Sequence, residues 1–370
     1  MPALVTGASG FVGGRLLAAL GREGDVRALV RRADAMPGAA VGDLLDPASL
    51  RAACEGVGCV FHCAGYAHAF SASDPDAHWR INFEGTRNLL MAAGEAGVRR
   101  FVFLSSVKAM AEPGDACVNE DWPGEPDTPY GRAKRAAEAA VLEAGAKYGM
   151  HVASLRLAMV YGHGGRGNLE RMARGIRAGW FPPLPDTGNR RSLVHVDDVV
   201  AAMRLVAQAP AANGRTYIVA ESKAYSGREI YDAIRAAVGR APARWQVPAA
   251  LLRCGGRLGD GLGRFAGRTL PLNSEVAERL LGSACYSPAR IERELGWRAG
   301  IGLDEGVREM LEGGLRCCRA KARPTPQYHH CNLSVSWIIC NDDPKESSGY
   351  RRVGPAAPGG SSAARPPPGG

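Results

Sequence analysis

The 370-residue sequence predicts an α/β protein, a doubly wound parallel sheet joined to a smaller, mostly helical second domain. Strand-like and helical patterns alternate as far as about residue 160, as expected of a parallel sheet covered by helices on both faces. The stretch Leu4-Val5-Thr6-Gly7-Ala8-Ser9-Gly10-Phe11-Val12-Gly13 reads as a short strand, a glycine turn and the first turn of a helix. A second strand, Val26 to Val30, follows the helical run Phe11 to Leu20 and completes a βαβ unit.

Glycine at 7, 10 and 13 lets the backbone turn sharply, lets a pyrophosphate approach the amides, and lets the helix pack closely on the strand. The candidate dinucleotide contacts in this turn are Gly7, Ser9, Gly10, Phe11, Val12 and Gly13, at a helix N-terminus whose amides face an anion.

Further along, Ala48 to Cys54 reads as a helix, and Cys59 to Gly65 as a buried strand ending at a glycine. Ile81 to Ala96 reads as a helix with Asn82 near its start, and Arg100 to Ser106 as a buried strand whose end exposes two hydroxyls. Ligands in such sheets sit beyond the carboxyl ends of the strands. Gly7 to Gly13, Ala64-Gly65 and Ser105-Ser106 should therefore line one crevice.

After a proline- and acid-rich loop, Tyr130 to Tyr148 is rich in Ala, Glu and Lys and reads as a long helix. Tyr130 and Lys134 are four apart and share one face of it. Val152 to Leu157 reads as a strand, Asn168 to Arg177 as a basic helix, and Arg190 to Asp198 as a short strand running into the helix Val199 to Gln208. Tyr217 to Ala220 returns to the sheet, and residues 225 to 312 read as helical pieces. The expected division is a dinucleotide-binding domain over 1–161, with 192–222 returning to it, and a substrate-binding domain over 162–191 and 223–312. Residues 313–370 lose periodicity and end in Pro, Gly and Ser, which reads as a disordered tail.

The net charge of +9 divides as +5 on residues 313–370 and +4 on the rest, so it marks a basic tail and no nucleic-acid groove. Ten cysteines in a chain of this size read as reduced thiols, since so long a chain needs no staples and shows no secretory leader. The tail's Cys317, Cys318, His329, His330, Cys331 and Cys340 match no common zinc spacing, so no metal is expected. No stretch approaches the roughly 20 apolar residues of a membrane span. A cytoplasmic protein without a membrane partner is the expectation.

Together, Thr6-Gly7-x-x-Gly10-x-x-Gly13, Ser106, Tyr130-x-x-x-Lys134 and Arg191-Ser192-Leu193-Val194-His195-Val196-Asp197-Asp198 resemble the extended short-chain dehydrogenase/reductases, and within them the nucleotide-sugar epimerase/dehydratase group. The resemblance runs from residue 1 to about 312 and includes Tyr286-Ser287-Pro288-Ala289-Arg290-Ile291 and Glu294-Leu295-Gly296-Trp297. It implies a Rossmann-type sheet, a nicotinamide cofactor and a homodimer formed by a helix pair. Tyr130 would be the catalytic acid/base, Ser106 would orient the reacting oxygen, and Lys134 would hold the cofactor ribose. An ammonium one turn away, with the cofactor's positive ring, would favour a phenolate whose free pKa is about 10.

The end of the second strand reads Val30-Arg31-Arg32, where NAD-preferring members usually place an acid. An arginine pair there would bind a 2′-phosphate, so the cofactor is NADP or NAD with NADP favoured. Asp43 and Leu44 resemble the family's adenine-side residues, and Asn168 and Arg191 match positions that contact a nucleotide diphosphate. Asn82 resembles a structural asparagine near the site but reads more simply as a surface helix residue, and His195 as a packed structural histidine. The resemblance implies hydride transfer at a sugar C4 carbon, by epimerisation or by reduction of a 4-keto sugar. A dehydrogenase of an apolar sterol-like or flavonoid-like substrate, and a dinucleotide-binding module without turnover, remain the competing functions.

Overall fold

The computed structural model describes residues 2–36, 38–66, 76–165, 167–267, 270 and 272–320. Of the tail's candidate zinc residues, Cys317 and Cys318 fall in the last helix, which runs on to Ala320 where a disordered tail is expected from 313, and His329, His330, Cys331 and Cys340 lie outside the described residues. Residues 1–322 form one compact unit.

The first half of the chain alternates as expected: β1 (Ala3–Thr6), α1 (Phe11–Leu20), β2 (Val26–Val30), β3 (Ala40–Val41), α2 (Pro47–Cys54), β4 (Cys59–His62), α3 (Gly85–Glu95) and β5 (Arg100–Ser106). There follow β6 (Cys117–Val118), α4 (Pro129–Tyr148), β7 (His151–Leu157), β8 (Met159–Tyr161), α5 (Asn168–Ala178), β9 (Leu193–His195), α6 (Val196–Gln208) and β10 (Arg215–Val219). The last elements are α7 (Gly227–Ala237), α8 (Ala249–Ala266), α9 (Ser274–Leu281), β11 (Cys285–Tyr286), α10 (Ala289–Leu295) and α11 (Leu303–Ala320).

Seven strands form one parallel sheet in the order β10-β7-β5-β4-β1-β2-β3. The order reverses between β1 and β4, and the crevice outside the carboxyl ends of that pair is where such sheets bind ligands. Both faces are covered, and the two-residue period of the strands divides the core cleanly. Val5, Ala28 and Val102 pack with Leu16 of α1 and Val199, Met203 and Val206 of α6. Leu4, Leu29 and Phe101 turn the other way, onto Leu50 of α2, Leu89 of α3 and Val141 of α4.

A third core joins α5, α7, α8, α9 and α11 through Leu169, Met172, Ile176, Ile234, Leu252, Leu281 and Val307. Among the described residues no helix is long and apolar enough to cross a membrane. One expectation is corrected here: the cysteines are not all reduced, because Cys117 of β6 and Cys285 of β11 are joined as a disulfide. The thiols of Cys54, Cys59 and Cys63 remain free, and burial pushes each pKa up, to about 11 for the first and about 12 for the other two.

Candidate active site

The glycine turn is shaped by close approach. Gly7 has φ of 67°, and a Cβ there would stand 2.7 Å from the amide nitrogen of Ala64. A Cβ at Gly13 would stand 2.2 Å from the Gly7 carbonyl oxygen. The end of β4 and the start of α1 can therefore share one narrow crevice only if these positions carry no side chain. Helix α1 has no side-chain N-cap and no acid in its first turn, so its N-terminus stays open to an anion.

Beneath the turn lies a buried relay that sequence reasoning missed. The Thr86 hydroxyl donates to the Asn82 carbonyl at 2.7 Å, so it accepts from Nε2 of His62 at 2.9 Å. Nδ1 of His62 is then the unprotonated nitrogen and accepts from the Thr6 hydroxyl at 2.7 Å. The Thr6 oxygen in turn accepts the Ala64 amide at 3.1 Å. Burial, with the Lys134 charge nearby, pushes the His62 pKa down to about 3, so the ring is neutral.

Asn82 is not a surface residue, as its buried side chain shows. It sits in a π-helical turn, Trp79–Glu84, where its amide accepts the Tyr66 N–H at 2.7 Å and donates to the Tyr66 carbonyl at 2.9 Å. Gly65 is held between this amide and Lys134, with a Cβ there only 3.1 Å from Oδ1 of Asn82 and 3.4 Å from Nζ of Lys134.

Tyr130 lies in the first turn of α4, which Thr128 caps by accepting the Gly131 amide at 3.0 Å. Its phenol is raised above the usual tyrosine pKa by burial, and the neighbouring Ser106 hydroxyl offsets part of the rise. The His78 ring stands edge-on to Tyr130 at 5.7 Å and packs on Tyr66 at 5.0 Å. Lys134 is buried, donates to the Leu104 carbonyl at 2.7 Å, and lies 4.6 Å from the centre of the Phe103 ring. Burial lowers its pKa to about 8, partly offset by Glu138. Tyr130 is thus a proton donor near neutrality, and the expected lowering of its pKa by Lys134 is not present in this arrangement.

The two serines part company. Ser106 faces Tyr130 and accepts the Lys108 amide at 3.2 Å, whereas the buried Ser105 hydroxyl donates to Glu138 at 2.5 Å. Ser105 therefore does not line the crevice. Glu138 also accepts from Nη2 of Arg156 at 2.7 Å in an ion pair buried between α4 and β7. One turn beyond Lys134, this pair fixes α4 against the sheet.

At the adenine end, β2 and β3 run in register, with Val30 beside Val41, which brings Arg31 and Asp43 to neighbouring strand ends. Arg32 is occupied, since its guanidinium grips Asp34 at 2.5 Å on the surface. Arg31 is exposed. Asp43 accepts the Leu45 amide at 2.9 Å, and the Leu44 carbonyl accepts from Asn88 at 2.9 Å.

On the helical side, Nη1 of Arg191 donates to the carbonyls of Arg279 at 2.7 Å and Gly282 at 3.0 Å. Burial lowers its pKa, and Tyr286 and Glu112 support its charge against this. Glu112 pairs with Lys108, two residues beyond Ser106. Asn168 stands exposed at the start of α5. His195 is buried, caps α6 and donates from Nε2 to Glu309 at 3.2 Å. With Asp197 it forms a group that resembles a metal site among the described residues, but the Arg15 guanidinium already spans the two carboxylates, at 2.6 Å from Asp197 and 2.8 Å from Glu309.

A model of the NAD-dependent epimerase/dehydratase family matches residues 3–220, the span that contains the whole crevice. The chain belongs to that family. It is an extended short-chain dehydrogenase/reductase with a Rossmann-type sheet, and its cofactor is a nicotinamide dinucleotide, which the side-chain-free cradle of Gly7, Gly10, Gly13 and Gly65 fits.

Two curated family relatives cover most of the chain. A UDP-glucose 4-epimerase of Vibrio cholerae is 28% identical, over 85% of this chain and 95% of that protein. Sterol demethylase protein B of Methylococcus capsulatus is 33% identical, over 80% of this chain and 93% of its own length. Among solved structures, a UDP-glucose 4-epimerase of Thermus thermophilus in complex with NAD superposes with a TM-score of 0.64 at 26% identity, covering 85% of this chain and 98% of that one.

Proposed function

We propose that this family member moves hydride at the C4 carbon of a nucleotide sugar, as a 4-epimerase or a 4-keto reductase. The observation that carries the reading is Arg191. Two main-chain carbonyls fix one end of its guanidinium, which leaves the rest of a planar fork suited to a diphosphate. Asn168, exposed at the start of α5 where the Glu170 carboxyl already lies against the first turn, is the second proposed diphosphate contact through its side-chain amide.

In this reading Gly7, Ser9, Gly10, Phe11, Val12, Gly13, Ala64 and Gly65 would hold the dinucleotide, which when bound would supply the hydride acceptor and donor for epimerisation, or the donor alone for ketone reduction. Ser106 hydrogen-bonds the reacting oxygen and Tyr130 gives it a proton, or removes one in the reverse sense. Lys134, freed from the Leu104 carbonyl, holds the ribose. Asp43 and Leu44 bound the adenine pocket, and Arg31 meets a 2′-phosphate if the cofactor is NADP. The homodimer contact is proposed for the groove between α3 and α4, lined by Leu90, Met91, Ala136, Ala140 and Tyr148.

The 33% identity to a sterol demethylase protein keeps an apolar hydroxy or keto substrate as the second reading. Parallel assays decide between them. Purified protein is offered UDP-glucose, a dTDP-4-keto sugar and a 3β-hydroxysteroid, with NAD and NADP, and conversion is followed by nicotinamide absorbance and product chromatography. Turnover of the steroid alone would overturn the nucleotide-sugar reading.

A further inference from the structure

Helix α8 leaves one face without a partner among the described residues. Successive residues of an α-helix turn by about 100°, so Leu251, Leu258, Leu262 and Phe265 fall within an arc of roughly 60°. Their exposures are 62%, 69%, 61% and 95%. The buried face of the helix lies elsewhere. Gly256 and Gly259 turn onto the segment entering α9, where a Cβ at 259 would stand 1.9 Å from the Leu272 carbonyl oxygen.

A second stripe lies about 130° round the helix from the apolar one. Arg253, Arg257 and Arg264 fall within an arc of about 40° on one flank. Arg253 pairs with Glu278 at 3.2 Å, and Arg264 lies near Asp260, which accepts the Ser274 amide at 3.3 Å. Residues 240–267 hold five arginines and a single acid, Asp260, and although Glu278 of α9 offsets Arg253, the charge beside the ridge stays net positive.

We propose that α8 is an interfacial helix that docks on an anionic lipid surface. Leu251, Leu258, Leu262 and Phe265 enter the headgroup boundary, and Arg257 and Arg264 meet the phosphates beside them. Charge decides between this occupant and a second copy of the chain. A two-fold pairing through the same ridge sets one arginine flank against another, whereas anionic headgroups complement both stripes at once. The docking needs no membrane span, and it departs from the expectation that the protein has no membrane partner, which vesicle flotation decides.

Flotation of the full-length protein with vesicles tests the assignment, using phosphatidylcholine alone and phosphatidylcholine mixed with phosphatidylglycerol. The protein is expected to float with the anionic vesicles and to be released as salt is raised. The triple variant Leu258→Ser, Leu262→Ser, Phe265→Ser should lower the bound fraction roughly tenfold or more with the melting temperature kept. Arg257→Glu with Arg264→Glu should weaken binding to the anionic vesicles. Three results would overturn the proposal: no flotation with either vesicle, binding that survives the triple variant and so belongs to another surface, or an oligomer by light scattering that the triple variant dissociates.

Discussion

The Thr6 hydroxyl and the His62 ring, 2.7 Å apart, tie the last residue of β1 to the last residue of β4 across the point where the strand order reverses. Because the crevice opens between these two strand ends, its width is set by a neutral imidazole. A histidine held unprotonated in the folded state, with a pKa near 3, makes stability fall as pH drops below the unfolded value of 6.5. Between those limits the unfolded chain binds the extra proton. The loss from this group should reach roughly 2 kcal/mol at pH 5, at about 1.4 kcal/mol per pH unit. Denaturant melts of the native protein and His62→Gln between pH 7 and 5 check this, and the variant should lose the smaller increment.

Tyr130→Phe should reduce turnover by about two to four orders of magnitude while cofactor affinity stays close to normal. With the phenol pKa raised by burial, ketone reduction should be level across neutral pH, and alcohol oxidation should climb as the solution becomes alkaline. Rate profiles in both directions, with dinucleotide titrations of the variant, provide the measurement. Wild-type turnover in Tyr130→Phe would remove the phenol from the mechanism.

Gly13→Ala should be one of the least tolerated small changes in the chain. Its methyl would lie 2.2 Å from the Gly7 carbonyl oxygen, so the turn must move. Overpacking of this kind should cost about 1–3 kcal/mol of stability. Dinucleotide binding, followed by quenching of intrinsic fluorescence, should weaken more than the melting temperature alone would explain.

Cofactor preference should respond to the strand end at residues 31–34. Arg31→Ala should weaken NADPH binding roughly tenfold and leave NADH nearly unchanged. Asp34→Ala, which releases Arg32 from its ion pair, should shift preference further towards NADPH. Calorimetric titration with both cofactors reads the two effects, and equal losses for NADH and NADPH in Arg31→Ala would place this residue outside 2′-phosphate recognition.

The sheet was readable because its strands are continuous apolar runs between turn residues; β2 and β5 fall where the residues place them. The opposed roles of Ser105 and Ser106 follow from strand geometry alone, since neighbours on a strand point to opposite faces. Expecting both in one crevice overlooked that period. The relay through His62, Thr86 and Asn82 was not readable in the same way. It joins residues up to 80 positions apart through a π-helical turn that no apolar pattern announces. The Cys117–Cys285 link was hidden for a related reason, as it joins two strands of two residues each.

That link also reaches into the denatured state. It closes a ring across 168 positions of the sequence, so an oxidised chain that has lost all its native contacts still cannot extend as a linear polymer. Thiol in the buffer should therefore lower the denaturation midpoint and enlarge the unfolded molecule at the same time, and the medium in which the protein resides sets how far apart its two halves can travel once the fold is gone.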